Sequence, residues 1–345
     1  MLNKVGGPLL TSLELRAYRS TVRPRRALGT WGLLYFFMAL RALGQCPTCP
    51  GISFGPGTAA LPDNTSAPLF ADINGDGHLD MILRESDKVT ARLGTGTGNF
   101  LSKTVLFQPT LGFGDGIGAV AIGDFNGDSV ADLAVAHPGY TGTPGGIWIL
   151  LGNGDGTFAS PTEIPGGGPF ALAVGDFDGD GKLDLAVSGR VADMTTILFG
   201  NGDGSFGAAV DLPEPGGLYA PLVVADFDGD GRPDLSVLRP NTPAGGAVIF
   251  LHTAPRAFGP GVLVPLPAAY SQIAVDLNND GRPDLVLMDG LSRSVIFLNE
   301  GGGQFQAPFG TTGFYAGAFG DFDGDGIVDL MVPTTDGIEV FRGDG

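Results

Sequence analysis

Three histidines and two cysteines are all that the 345 residues hold, so little chemistry that depends on imidazole or thiolate can be assembled. His78, His137 and His252 are widely separated and fit no zinc-ligand spacing. No serine triad or spaced acid pair can be built around them. Cys46 and Cys49 form a lone Cys-Pro-Thr-Cys without the βαβ setting of a redox motif. In an oxidising compartment it reads as a small local disulfide or as a motif without function. Basic residues are scarce as well: 19 Lys and Arg stand against 37 Asp and Glu, a net charge of −18. That balance excludes nucleic acid as a partner, because phosphates need a basic surface. The apolar run at residues 27–40 is short for crossing a bilayer.

That run belongs to a distinct N-terminal segment. Arg16, Arg19, Arg23, Arg25 and Arg26 precede it, and Ala42-Leu43-Gly44 follows with small residues at the two positions a signal peptidase reads. Residues 1–44 therefore read as an export signal cleaved near Gly44. A membrane anchor is the alternative, opposed by the length of the run and by Arg41 close behind it. Residues 45–51 form a short linker carrying the two cysteines, and 52–345 form the folded domain. The expected location is outside the cytoplasm (secreted, at the cell surface or periplasmic), with no membrane span after cleavage.

What the chain has in abundance is glycine, 59 residues, and a motif in six copies. Such a glycine content suggests disorder only when it has no period. Here the nine-residue runs 72–80, 124–132, 176–184, 226–234, 276–284 and 321–329 start 52, 52, 50, 50 and 45 residues apart. Around each run the order is the same: an apolar stretch, the run, a second apolar stretch, a variable turn, a third stretch, and a Gly/Asn/Asp turn. A last segment opens with Phe158, Phe206, Phe258 or Phe305. The stretches are too short for helices and are bounded by turn residues, so they predict strands. Four strands per unit, repeated, predict an all-β propeller of six blades, with a truncated seven-bladed form as the alternative. The sixth unit stops after its third strand. Residues 52–55 resemble a fourth strand and are expected to complete that blade, closing the ring and removing an open sheet edge.

Acidic residues are concentrated in the runs, which hold 21 of the 37. Position 1 is Asp72, Asp124, Asp176, Asp226, Asp276 or Asp321. Position 3 is Asn74, Asn126, Asp178, Asp228, Asn278 or Asp323. Position 5 is Asp76, Asp128, Asp180, Asp230, Asp280 or Asp325, and position 9 is Asp80, Asp132, Asp184, Asp234, Asp284 or Asp329. Alternating oxygen ligands on a curled backbone suit calcium, which takes six to eight of them. Position 7 varies freely (His78, Val130, Lys182, Arg232, Arg282, Ile327), as befits a residue giving only its backbone carbonyl. An EF-hand would need Glu at position 12, where this chain has Leu83, Val135, Val187, Val237, Leu287 and Val332. Up to six calcium ions are expected. An Asp-rich turn that binds nothing is the rival reading, opposed by the repulsion among three or four carboxylates in each run. Ser129 at position 6 and Asn279 at position 4 mark the two runs that depart most from the pattern.

These units resemble FG-GAP or VCBS repeats, the family that includes the N-terminal propeller of integrin α subunits. The resemblance covers residues 52–345 and implies a propeller whose loops bind calcium. Integrin propellers usually have seven blades with loops in only some, so nothing about their partners carries over. Topology sets the loops on one face. The opposite connections carry Tyr140, Tyr219, Tyr270 and Tyr315, candidate ligand-binding residues for an extracellular protein or glycan. The expected function is therefore a calcium-stabilised binding or adhesion module and not an enzyme. A propeller-based polysaccharide lyase or hydrolase, and a structural repeat domain without its own ligand, are the alternatives. Arg342-Gly343-Asp344 falls in a repeat turn and is read as part of it.

Overall fold

Runs of Val, Ile, Leu and Ala four to six residues long, closed off by Asp or Gly, are too brief for helices and pack well on a pleated surface. The computed structural model describes residues 16–18, 68–109, 116–139, 145–166, 168–189, 194–212, 220–239, 245–289, 294–306, 308–311, 318–322, 324–334 and 337–343. It sets these runs in strands, and no helix occurs among the described residues. The strands form six antiparallel four-stranded sheets, each built almost wholly from consecutive strands.

The first sheet joins Leu69–Ala71, Asp80–Arg84, Val89–Arg92 and Thr104–Phe107 in that order. The second joins Ala119–Gly123, Asp132–His137, Gly146–Leu150 and Thr162–Pro165, and the third Pro169–Gly175, Asp184–Gly189, Thr195–Gly200 and Phe206–Asp211. Leu222–Ala225, Asp234–Arg239, Gly246–Phe250 and Val262–Pro265 make the fourth. Ala269–Val275, Asp284–Asp289, Ser294–Phe297 and Phe309–Thr311 make the fifth. The core lies between successive sheets. Ile73, Ile82 and Val89 of the first pack with Leu133 and Val135 of the second. Phe177 and Phe199 of the third pack with Leu235 and Phe250 of the fourth. Second strands such as Asp132–His137 are buried along their whole length because a sheet covers each of their faces. Sheets repeated in this way make the chain a β-propeller.

Two expectations need correction. The sixth sheet runs Ala318–Gly320, Asp329–Thr334, Gly337–Arg342 and then Arg16–Tyr18, with Ala17 opposite Phe341. An N-terminal strand does complete this sheet, but it comes from residues 16–18, whereas residues 52–55 lie outside the described residues. Backbone groups along a sheet edge such as that of Gly337–Arg342 pair with any extended segment, so the pairing carries no side-chain signature. Cleavage near Gly44 would remove this strand and leave that edge to another segment. The second correction concerns the phenylalanines. Phe158, Phe258 and Phe305 do not open fourth strands. They pair back across the preceding turn with Gly152, His252 and Asn299. Only Phe206 begins its strand, and it too pairs with Gly200.

Candidate metal centres

Each nine-residue run links the first strand of a sheet to the second, and antiparallel order puts the turn between third and fourth strands at the same end. Position 1 organises the loop. Asp72 Oδ1 accepts the N–H groups of Gly75 and Asp76 at 2.7 and 3.2 Å, and its Oδ2 accepts that of Gly77 at 2.7 Å. Asp176 does the same with Gly179, Asp180 and Gly181 at 2.7, 3.1 and 2.9 Å. Three amides converging on one carboxylate force a left-handed backbone at positions 4 and 6, which glycine supplies most readily. Ser129 and Asn279 nevertheless adopt it, with φ of 67° and 56°. The two departures therefore keep the loop conformation of their siblings.

Position 9 is fully buried in all six loops. Its Oδ2 accepts the N–H of position 2: from Ile73 to Asp80 at 2.9 Å, Phe125 to Asp132 at 2.8 Å, Phe177 to Asp184 at 2.6 Å and Phe227 to Asp234 at 2.7 Å. Leu277 and Phe322 do likewise with Asp284 and Asp329 at 2.9 and 2.8 Å. Its Oδ1 accepts an N–H from just beyond the third strand, given by Gly94, Gly152, Gly200, His252, Asn299 or Gly343 at 2.7–3.0 Å. One carboxylate thus ties three strands together. Burial raises its pKa in Asp80, Asp132 and Asp284, and to about 6 in Asp184 and Asp234, where the loop's other carboxylates add to the effect.

Position 2 is the joint to the next sheet. Phe125, Phe177 and Phe227 meet Phe206, Phe258 and Phe305 of the following sheet at ring separations of 5.8, 6.0 and 6.0 Å. Gly156 and Gly204 of the following turns donate to the carbonyls of Ile73 and Phe125 at 3.0 and 2.9 Å. This role was not read from sequence, although an aromatic or large apolar residue recurs at position 2.

In two loops the structure brings positions 1, 3 and 9 together. One oxygen each from Asp176, Asp178 and Asp184 lies within 4.8 Å of the others, and so does one each from Asp226, Asp228 and Asp234. Ligands 2.3–2.6 Å from a shared calcium ion span at most about 5 Å, so these donor sets fit it. Asp323, the third carboxylate of the last loop, lies outside the described residues. Position 5 lies outside these two clusters. Its Oδ1 accepts the N–H of position 7 in all six loops, and in the first five its Oδ2 meets the Asn of position 3, the basic side chain of position 7, or both. Asn74, Asn126 and Asn278 donate to Asp76, Asp128 and Asp280 at 3.0, 2.9 and 3.0 Å. Lys182 and Arg282 pair with Asp180 and Asp280 at 3.2 and 2.8 Å, and Arg232 pairs with Asp230. Position 7, read from sequence as a backbone ligand alone, thus also supplies a counter-charge.

Of the four tyrosines, Tyr140, Tyr219 and Tyr315 lie outside the described residues. Tyr270 starts a first strand on the face away from the loops, at a bulge between Ala269 and Ser271, and is 41% exposed.

Residues 72–135, 139–187, 188–237 and 276–332 match the FG-GAP-like repeat, and the chain belongs to that family. Integrin alpha-4 of Xenopus laevis is 28% identical over 173 residues, 43% of this chain and only 16% of its own length. Among solved structures, a lectin of Agrocybe aegerita described in terms of its recognition of non-reducing terminal N-acetylglucosamine superposes with a TM-score of 0.60. Its identity is 22%, with coverage of 82% of this chain and 78% of that one. BBS1N in complex with ARL6DN gives 0.53 at 15% identity, covering 82% and 80%. No helix among the described residues is long and apolar enough to cross a membrane.

Proposed function

We propose that the protein is an exported, calcium-stabilised binding or adhesion module that contacts a glycan or a protein through the face opposite its loops. The observation that carries this reading is the convergence of three carboxylates within 4.8 Å in two loops of an FG-GAP-like repeat. Positions 1, 3 and 9 hold the ion, and the ion stiffens the hairpin that position 9 anchors. Up to six such loops close a ring of six blades. The integrin relative supports a place outside the cytoplasm, and the lectin likeness makes glycans the first partner class to test. The protein is not read as an enzyme: His137 and His252 are 5% and 1% exposed, in different sheets, and neither offers an accessible base.

Screening on a glycan array with and without calcium tests the reading. Binding is expected with calcium and is expected to weaken on chelation and in Tyr270→Ala. Turnover of a polysaccharide in place of retention would replace this reading with the lyase or hydrolase one.

A further inference from the structure

The turn after each third strand carries a glycine at the same place in four sheets: Gly98, Gly156, Gly204 and Gly303, with φ of 77°, 84°, 82° and 71°. The fourth sheet has Arg256 there, in the same left-handed conformation at φ 60°, which an L side chain adopts under strain. Its side chain crosses to the preceding sheet. Arg256 Nε donates to Asp178 Oδ2 at 2.8 Å, and its guanidinium carbon sits 4.6 Å from the centre of the Phe199 ring. Asp178 is the buried position-3 carboxylate of the loop at 176–184, and its Oδ1 already accepts the N–H of Asp180 at 3.2 Å.

The loop at 226–234 is the natural control. It has the same acidic residues at positions 1, 3, 5 and 9 and the same cluster of oxygens. The turn that overlies it carries Gly303 where Arg256 stands, and Asn299, whose Nδ2 donates to the carbonyls of Phe227 and Pro283 at 2.9 and 3.0 Å. Asp228 makes no ion pair among the described residues.

We propose that Arg256 is a resident counter-cation for the 176–184 loop, so that this loop takes up calcium at a higher concentration than the 226–234 loop and releases the Arg256 strap between the third and fourth sheets when it fills. The inference rests on calcium binding by the loops. A divalent ion needs the Asp178 lone pairs that the charge-assisted bond occupies, and a guanidinium beside the site repels it. Cation–π contact with Phe199 gives the side chain a resting place on the sheet below.

Counting bound ions by native mass spectrometry across a calcium titration tests this in the full chain, with Arg256→Gly and Arg256→Gln. Glycine occupies this place in the sibling turns, so Arg256→Gly is compatible with folding, and urea unfolding checks both variants. Both are expected to lower the half-saturation of one ion about three- to tenfold, and Asp178→Ala is expected to abolish that difference. If calcium binds but no half-saturation moves, Arg256 is a structural strap alone and the inference fails while calcium binding stands. If no form binds calcium, both fail.

Discussion

Asp180 and Asp184 stand four residues apart in one loop, yet they are held in opposite ways. Asp184 is buried, and both its oxygens accept backbone N–H groups, from Phe177 and Gly200. Asp180 is turned to the loop's outer side, where it meets the Lys182 ammonium at 3.2 Å. Position 9 is held in this way in all six loops, and position 5 meets a polar or basic side chain in the first five. The inner end ties together the first three strands of its sheet, and position 9 is Asp without exception. At the outer end position 5 is equally constant, but its partner changes between Asn at position 3 and a base at position 7. Two parts of one motif are thus shaped by different demands: backbone satisfaction inside and charge balance outside.

Removing the inner carboxylate gives the largest expected effect. Asp184→Ala leaves two buried N–H groups without acceptors, and each costs about 1–3 kcal/mol. A loss of roughly 3 kcal/mol is expected in urea unfolding with chelator present, against less than about 1 kcal/mol for Asp180→Ala. Equal losses would erase the contrast between the two ends. Emptying the loops comes next. With free calcium near 1 mM and a dissociation constant near 0.1 mM, each filled site adds about 1.4 kcal/mol, or about 2 °C of melting temperature in a domain of this size. Calorimetry with and without chelator should show that shift for every occupied loop, and an unchanged melting curve would remove calcium from the account.

The sequence discloses the outer end better than the inner one. The six-fold period, the strands and the Asp/Asn positions are visible because their side chains recur. Position 9 could be read as a ligand, but its second role could not. The N–H groups it accepts belong to Gly94, Gly152, Gly200, His252, Asn299 and Gly343, and a backbone donor constrains no side chain. The pairing of Arg16–Tyr18 with Gly337–Arg342 was hidden for the same reason. Position 7 has a further role that its variability conceals: three of its six side chains are bases serving position 5. Phe258 and Phe305 were placed one element late because their partners, Phe177 and Phe227, come from the preceding sheet.

Two smaller effects sharpen the contrast at the outer end. Ser129 holds φ 67° with an exposed side chain, a conformation that costs an L residue about 1–2 kcal/mol. Ser129→Gly should therefore raise stability by about 1 kcal/mol, offset in part by the entropy of the unfolded glycine, and denaturant midpoints would show it. The smallest effect is expected at Arg282. Its guanidinium pairs with Asp280 Oδ2 at 2.8 Å, but Asn278 Nδ2 donates to the same oxygen at 3.0 Å, so Arg282→Ala leaves that oxygen a donor and gives up only the longer Nε bond to the Asn299 carbonyl at 3.3 Å. An exposed pair is worth about 0.2–1 kcal/mol, and with a second donor in place the loss should fall at the lower end of that range. Lys182→Ala, in a loop whose position 3 is Asp178 and gives no such amide, should cost more than Arg282→Ala. A double-mutant cycle of Arg282→Ala with Asn278→Ala decides the matter: a combined loss larger than the sum of the singles shows two donors covering for each other at one carboxylate. Strict additivity would mean that the outer end is balanced by charge alone.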